Sequence, residues 1–147
     1  MQDPLITLYS LLITEWALTG ALLDENIRFS TGFFEEDFEG PQITISEISD
    51  RNEPFELGYG KIRVTARHQI DIWVPVLRTT AKGPGLAKQH KWAMREEVKR
   101  ILKANLTGLQ DLRYVVLDQT GRNLDELDHS PPILRYSLDI SVIYDIT

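Results

Sequence analysis

Histidines are the side chains of this sequence best suited to metal binding or general acid–base chemistry. The chain has three, His68, His90 and His129, which fall in a predicted strand, helix and loop respectively. A metal site on a single element needs paired imidazoles at a fixed spacing, and no two of these have it. His68 and His90 fall on apolar faces, where a hydrogen-bonded histidine inside the core is the expected outcome. The sequence therefore predicts no metal site and no catalytic residue.

Motifs for phosphate binding and nucleophilic catalysis are also missing from the sequence. Neither G-x-x-x-x-G-K nor G-x-G-x-x-G occurs, and there is no G-x-S-x-G elbow. The 147 residues include no cysteine, which excludes disulfides, thiolate nucleophiles and Cys-based metal sites. We therefore expect a protein that is not an enzyme and that needs no cofactor.

The composition is typical of one globular domain. Hydrophobic residues make up 42% of the chain and charged residues 26%, so we predict a single domain over residues 1–147. The apolar run from Leu5 to Leu23 does not fit a signal sequence, because the chain starts without a basic residue. Glu15 in the middle of this run also disfavours a membrane helix. We expect a helix buried on two sides, and no membrane contact.

Two long segments with alternating polar and apolar residues are the clearest structural signal. Residues 61–74 and 134–146 both have period two, which predicts strands with one dry and one wet face. At about 3.4 Å per residue the first strand would be roughly 45 Å long, far longer than a usual strand. Its ends are therefore expected to extend beyond the domain's own sheet.

The remaining segments complete an α+β pattern. A first helix is expected from Asp3-Pro4 to Gly20, and a second over residues 86–105. Shorter strands are predicted at residues 27–31, 42–48 and 112–117, with a polar linker at 50–54 and a loop at 119–132. The order helix-strand-strand-strand-helix-strand-strand, with hairpin-like links early, predicts a mostly antiparallel sheet with two long strands, packed by both helices.

Charge is segregated along the chain, whose formal net charge is −6. Residues 33–57 contain eight acidic residues against one basic residue, a net charge of −7. Residues 82–103 contain seven basic residues against two acidic ones, a net charge of +5. The second helix is therefore the basic counterpart of an acidic, aromatic loop.

These two segments suggest an interface between copies. Basic residues at steps of three and four line one side of the second helix, which is either an ordinary solvated face or a docking surface for a neighbour's acidic loop. Complementary patches on one chain allow head-to-tail rings. A passing contact between the basic stripe and DNA is a third reading. The candidate interface residues are Phe33, Phe34, Glu35, Glu36, Asp37 and Phe38 in the loop, and Lys88, Lys91, Arg95 and Lys99 on the helix.

The layout resembles the tail-terminator proteins (tail-completion or neck-terminator proteins) of long-tailed bacterial and archaeal viruses. The resemblance spans nearly the whole chain but includes no invariant motif, so no residue role is carried over. Its pieces are the N-terminal apolar helix, G-P-Q-I-T-I at 40–45, the strand at 62–74 with R-H-Q-I-D-I-W, the helix A-M-R-E-E-V-K-R-I-L at 93–102, and the closing strand at 135–144.

The resemblance implies an α+β protomer that forms a homo-oligomer, a six-fold ring without enzyme activity. Such a ring caps the finished tail tube, stops its growth and joins it to the head–tail connector protein. The expected location is the tail or neck of the virion, after synthesis in the host cytoplasm. Other neck, connector or tail-tube proteins are close alternatives. A small cytosolic ligand-binding protein or enzyme, with a pocket near His68 and His90, is the alternative from another class.

Overall fold

The protein combines two helices with one sheet. The computed structural model describes residues 3–17, 27–38, 40–54, 62–76, 84–105, 114–116, 120–128 and 132–146. The α+β class and the packing of two helices with a mostly antiparallel sheet are confirmed. In chain order the elements are α1 (Pro4–Glu15), β1 (Arg28–Ser30), β2 (Gln42–Pro54), β3 (Ile62–Pro75), α2 (Pro84–Ala104), β4 (Tyr114–Val116), β5 (Gly121–Asn123) and β6 (Ile133–Ile146).

The described strands form a mixed sheet in the order β1-β2-β3-β6-β4, and β5 also pairs with β6. All pairs are antiparallel except β1 with β2, which is parallel. The prediction of hairpin-like early links is therefore wrong for this pair. The loop between these strands folds back along the sheet, where the N–H of Arg28 donates to the carbonyl of Pro41 at 3.0 Å. The chain thus enters β2 from the same end as β1.

Strands β3 and β6 pair along their whole length, from Ile62 opposite Ile146 to Pro75 opposite Ile133. Strand β2 pairs with β3 over nearly the same length, so the predicted polar linker at 50–54 is wrong, and so is the prediction that β3 extends beyond the sheet. A β-bulge at Ile48 shifts the register between β2 and β3. The extra residue interrupts the alternation of period two. The second half of β2 was therefore not predicted from the sequence.

The core lies between the helices and one face of the sheet. On β3 and β6 the even-numbered side chains point toward the helices, as period two requires. They join the apolar faces of both helices in one cluster that includes Leu8, Leu12, Met94, Val98 and Ile140, all fully buried. Burying each such side chain stabilises the fold by about 1.5–3 kcal/mol. The two helices therefore cover the dry faces of the long strands, as predicted.

Helix α1 ends at Glu15, earlier than the predicted end at Gly20, which lies outside the described residues. Contacts with α2 explain this end. The N–H of Ala17 donates to the carboxylate of Glu97 at 3.0 Å, and the carbonyl of Glu15 accepts from Arg100 at 2.9 Å. These partners replace the hydrogen bonds of a further helical turn. No helix in the described ranges combines the length and apolarity needed to cross a bilayer.

Strand β5 falls inside segment 119–132, which the sequence predicts as a loop, so that prediction is wrong for three residues. Gly121 lies opposite Leu138 in the ladder between β5 and β6. A Cβ atom at this position would approach the hydroxyl oxygen of Tyr136 to 1.7 Å, so the ring of Tyr136 occupies the space of a side chain here and would have to move for any residue other than glycine. Three residues are too few to show a period of two, and glycine itself is a turn signal.

Candidate interaction surfaces

The acidic loop is held against its own sheet. The ring of Phe34 stacks on Trp73 with the ring centroids 4.6 Å apart, and Glu35 accepts from Nε of Arg28 at 3.0 Å. Phe33 is 92% exposed and Phe38 is half-buried, while Glu36 and Asp37 are exposed. Of the six predicted loop residues, Phe34, Glu35 and Glu36 therefore already have partners within the chain, and Phe33 is the most exposed apolar side chain of the loop.

Gln42 on β2 fixes this loop. Its side chain is fully buried, and its amide nitrogen donates to the carbonyl of Glu35 at 2.7 Å. Its amide oxygen accepts from the N–H of Glu35 at 3.0 Å and from Nη1 of Arg28 at 3.1 Å. One buried amide thus satisfies both backbone groups of Glu35, which sets the position of the loop on the sheet.

Replacing Gln42 by alanine removes these hydrogen bonds and leaves partly buried backbone groups of Glu35 without their partner. We expect the free energy of unfolding to fall by about 1–3 kcal/mol, measured by urea unfolding. Chymotrypsin should also cleave at Phe33, Phe34 or Phe38 faster. Ser46→Ala is the matched control, because Ser46 lies on the same face of β2 and is half-buried. Equal losses of stability in the two variants would contradict this role of Gln42.

The basic stripe on α2 turns partly toward its own sheet. Lys91 donates to Asp125 at 3.0 Å and to Asn123 at 3.1 Å, and its side chain is 14% exposed. Arg95 pairs with Glu96 at 3.1 Å. The charged ends of Arg95 and Lys99 lie 5.3 and 5.6 Å from the ring centroid of Tyr136. Lys88 is exposed. The stripe is therefore not a uniform solvated face, and Lys91 and Arg95 have partners within the chain.

The acidic loop and the basic stripe lie on opposite faces of the sheet. Phe34 stacks on Trp73, an odd-numbered residue of β3 and so part of the face away from the helices. The helix α2 packs on the other face, against the even-numbered residues of β3 and β6. The acidic loop and the basic stripe of one copy are thus separated by the sheet.

A buried polar network on the outer sheet face was not predicted from the sequence. Asp71 is 6% exposed and accepts from Arg135 at 3.2 Å and from Gln69 at 3.0 and 2.9 Å. Asp139 is 7% exposed and accepts from Arg67 at 3.3 Å. The face of β3 and β6 that the sequence predicts to be wet therefore carries buried polar groups in this region. The signal was present, since opposite charges recur at odd positions of both strands and meet as cross-strand pairs.

His68 lies on the helix-facing side of β3, opposite Glu47 of β2, and is fully buried. Burial lowers the pKa of its imidazole below 6.5, while Glu47, the Ala66 backbone and Asp3 partly oppose this shift. Within the described residues neither ring nitrogen has a hydrogen bond of ordinary geometry. The core position of His68 is thus confirmed, but the predicted hydrogen bond is not found there.

His90 on α2 is also buried, as predicted, and His129 lies outside the described residues. Among the side chains that the structure describes, no group of three or more His, Cys, Asp and Glu residues is arranged to hold a metal ion.

These observations define an α+β protein in which two helices cover one face of a mixed, mostly antiparallel sheet. A comparison with protein-family models gives no match, and a comparison with curated proteins gives none either. Its function must therefore be inferred from the chain's own surfaces.

Proposed function

We propose that this protein is a structural subunit of a viral tail, which forms a closed ring that ends the tail tube and joins it to the head–tail connector. The observation that carries the proposal is a set of large apolar side chains exposed on different elements. Ile6 and Ile13 are exposed on α1, Ile48 on β2 and Trp92 on α2, at 38%, 43%, 46% and 58%. Exposed apolar side chains on separate elements supply the two different contact surfaces that a head-to-tail ring subunit needs.

The layout of the elements supports the same proposal. The segments that carry the resemblance to tail terminators coincide with α1, the start of β2, β3, the middle of α2 and β6. Each is therefore part of a helix or strand of the fold. The six-fold symmetry, the tube protein and the connector protein as partners, and the location in the virion all rest on this resemblance.

The kind of contact decides between a ring and a filament. Two different surfaces on one chain make a head-to-tail contact, which closes into a ring if the rotation between copies allows it and otherwise grows without limit. The subunits of a tail terminator must form a closed ring, because the tail tube stops growing where the terminator binds. A tail-tube protein, one of the alternatives, would instead stack into long tubes.

The test is the assembly state of the purified full-length chain. Size-exclusion chromatography with light scattering, over a concentration series, is expected to show one closed oligomer, and negative-stain microscopy should show rings. Long tubes would assign the protein to the tube class instead. Monomers at every concentration up to the solubility limit would overturn the proposal.

A ligand-binding site near His68 and His90 is disfavoured by the burial of both side chains. His68 is fully buried among core residues, and His90 is 4% exposed. A small molecule would reach them only by displacing apolar side chains of the core. The exposed apolar residues are directly accessible, so we retain assembly as the function.

A further inference from the structure

The outer side of α1 and the part of β2 around its bulge both carry exposed residues, apolar on α1 and mixed apolar and acidic on β2. Ile6 and Ile13 are seven residues apart and so lie on the same side of the helix. Helix α1 packs on β2, where the bulge residue Ile48 is 46% exposed between the exposed residues Glu47 and Asp50. We call Ile6, Ile13, Glu47, Ile48 and Asp50 the α1–β2 surface.

The carboxylates of Glu47 and Asp50 on β2 and of Asp3 at the start of α1 all act on Tyr144 of β6. The pKa of Tyr144 is raised by burial and further by Glu47, Asp50 and Asp3, which caps α1. These carboxylates therefore converge on one region. In the part of the chain that the structure describes, no ion pair joins Glu47 or Asp50 to a basic residue. Their negative charge is thus available to a partner.

Among the described strands, the edge of the sheet at this point has no pairing partner. Strand β1 pairs with β2 only at Gln42, Ile43 and Thr44, and no other described strand pairs with that edge. The bulge at Ile48 and the charges that follow it make simple strand addition unfavourable. The surface is therefore better suited to receiving side chains than another strand.

A matching surface lies on α2. Lys88, Trp92, Lys99 and Lys103 project within about 60° of one another around the helix axis, at 100° per residue. Trp92 is 58% exposed, and Lys88 and Lys103 are exposed without an ion pair among the described residues. We call these four residues the α2 surface. It differs from the predicted stripe because Lys91 and Arg95 form ion pairs within the chain, whereas the contact found for Lys99 among the described residues is with the ring of Tyr136.

We propose that the α1–β2 surface of one copy binds the α2 surface of the next copy. The inference rests on the proposed function, since it specifies which surfaces join the subunits of the ring. Trp92 packs against the exposed isoleucines, and the lysines on either side of it pair with Glu47 and Asp50. An aromatic anchor inside a charged rim is the common anatomy of a protein interface.

The positions of the two surfaces make this contact heterologous. Helix α1 packs on β1 and β2, whereas α2 packs on β3 and β6, so the surfaces lie on different parts of the helix layer. A two-fold dimer through either surface alone would bring like charges together, which disfavours it. The opposite charges favour a contact between the α1–β2 surface and the α2 surface, and hence head-to-tail assembly.

Charge reversal and its rescue test the contact. The pair Glu47→Lys and Asp50→Lys, or the pair Lys88→Glu and Lys103→Glu, should each raise the concentration for half-assembly about tenfold or more. All four substitutions in one chain should restore assembly, because the charges are then exchanged between the two surfaces. Acrylamide quenching of Trp92 fluorescence, read as the difference from Trp92→Phe, should fall on assembly.

Reversal of Glu36 and Asp37 to lysine in the acidic loop is the matched control, with thermal unfolding as the check that every variant folds. Assembly should be unchanged in this control. If the loop variant fails to assemble while the two charge-reversed pairs assemble normally, the acidic loop is the docking element and the inference is overturned. A wild-type chain that never assembles would overturn both the proposed function and the inference, whereas normal assembly of the charge-reversed pairs overturns the inference alone.

Discussion

Replacing Leu12 by alanine is expected to lower the free energy of unfolding by about 2–5 kcal/mol. Leu12 is fully buried between α1 and the sheet, so truncation removes apolar contact and leaves a cavity. Its neighbour Ile13 is 43% exposed on the other side of the helix. Ile13→Ala should therefore change the stability of the monomer by less than about 0.5 kcal/mol. Urea unfolding at a concentration below assembly measures both values.

This pair of variants separates folding from assembly. The sequence predicts that α1 is buried on two sides, whereas in the part of the chain that the structure describes Ile6 and Ile13 are exposed on the side away from the core. Under the proposed docking, Ile13→Ala weakens assembly at concentrations where the wild-type chain forms rings, although its monomer is as stable as wild type. If Ile13→Ala destabilises the monomer as much as Leu12→Ala, the chain itself covers both sides of α1, and Ile13 is then not available to a neighbour.

The regular parts of the fold were predictable because their signals are local. In β3 and β6 successive side chains alternate between the helix-facing side of the sheet and its outer face. The apolar and polar residues of the sequence alternate in the same way. In α2 the apolar positions repeat with the helical period, and the observed bounds differ from the predicted ones by at most two residues. Long elements with a steady period leave little freedom in interpretation.

The errors arose where contacts between distant residues override the local pattern. Ile48 is an unpaired bulge residue, and it reverses the phase of β2 halfway along the strand. The end of α1 is set by hydrogen bonds with Glu97 and Arg100, which join residues 80 and 85 positions apart in the sequence. No local signal in the sequence distinguishes Glu97 or Arg100 from an ordinary solvated charged residue.

For the candidate surfaces, the sequence predicted where the charged segments lie but not which of their side chains remain exposed. The sequence correctly located acidic and basic segments, because charge can be counted. It could not show that Lys91 pairs with Asp125, which lies 34 residues later, or that Glu35 pairs with Arg28. Intramolecular pairs remove some charges from the surface and leave others, and only the fold shows which remain.

Acidification is expected to destabilise the protein through His68. Burial lowers the pKa of His68 in the folded chain, while in the unfolded chain it stays near 6.5. The unfolded state therefore binds the proton more readily in this range. The contribution of the neutral His68 imidazole to the free energy of unfolding is fully present above about pH 6.5. It is lost as the pH falls toward the folded-state pKa, at up to about 1.4 kcal/mol per pH unit.

His68→Leu removes the titrating group and suits the apolar side chains around it, which include Ile70 and Ile140. We expect the stability of this variant to change less than that of wild type between about pH 7.5 and pH 5, measured by urea unfolding at each pH. Parallel curves for the two proteins would contradict a buried neutral imidazole. An NMR titration of the His68 ring gives the folded-state pKa directly and should place it below 6.5.

Glu47→Gln tests the electrostatic part of this argument. The carboxylate of Glu47 lies opposite His68 and favours its protonated form, as Asp3 does from the start of α1. Removing the charge should lower the pKa of His68 further and extend the loss of stability to lower pH. The same substitution removes one charge from the α1–β2 surface, so it should also weaken assembly at neutral pH, where His68 is neutral and its titration plays no part. If Glu47→Gln changes stability at low pH but leaves assembly at neutral pH unchanged, Glu47 acts on His68 in the core and is not part of the interface.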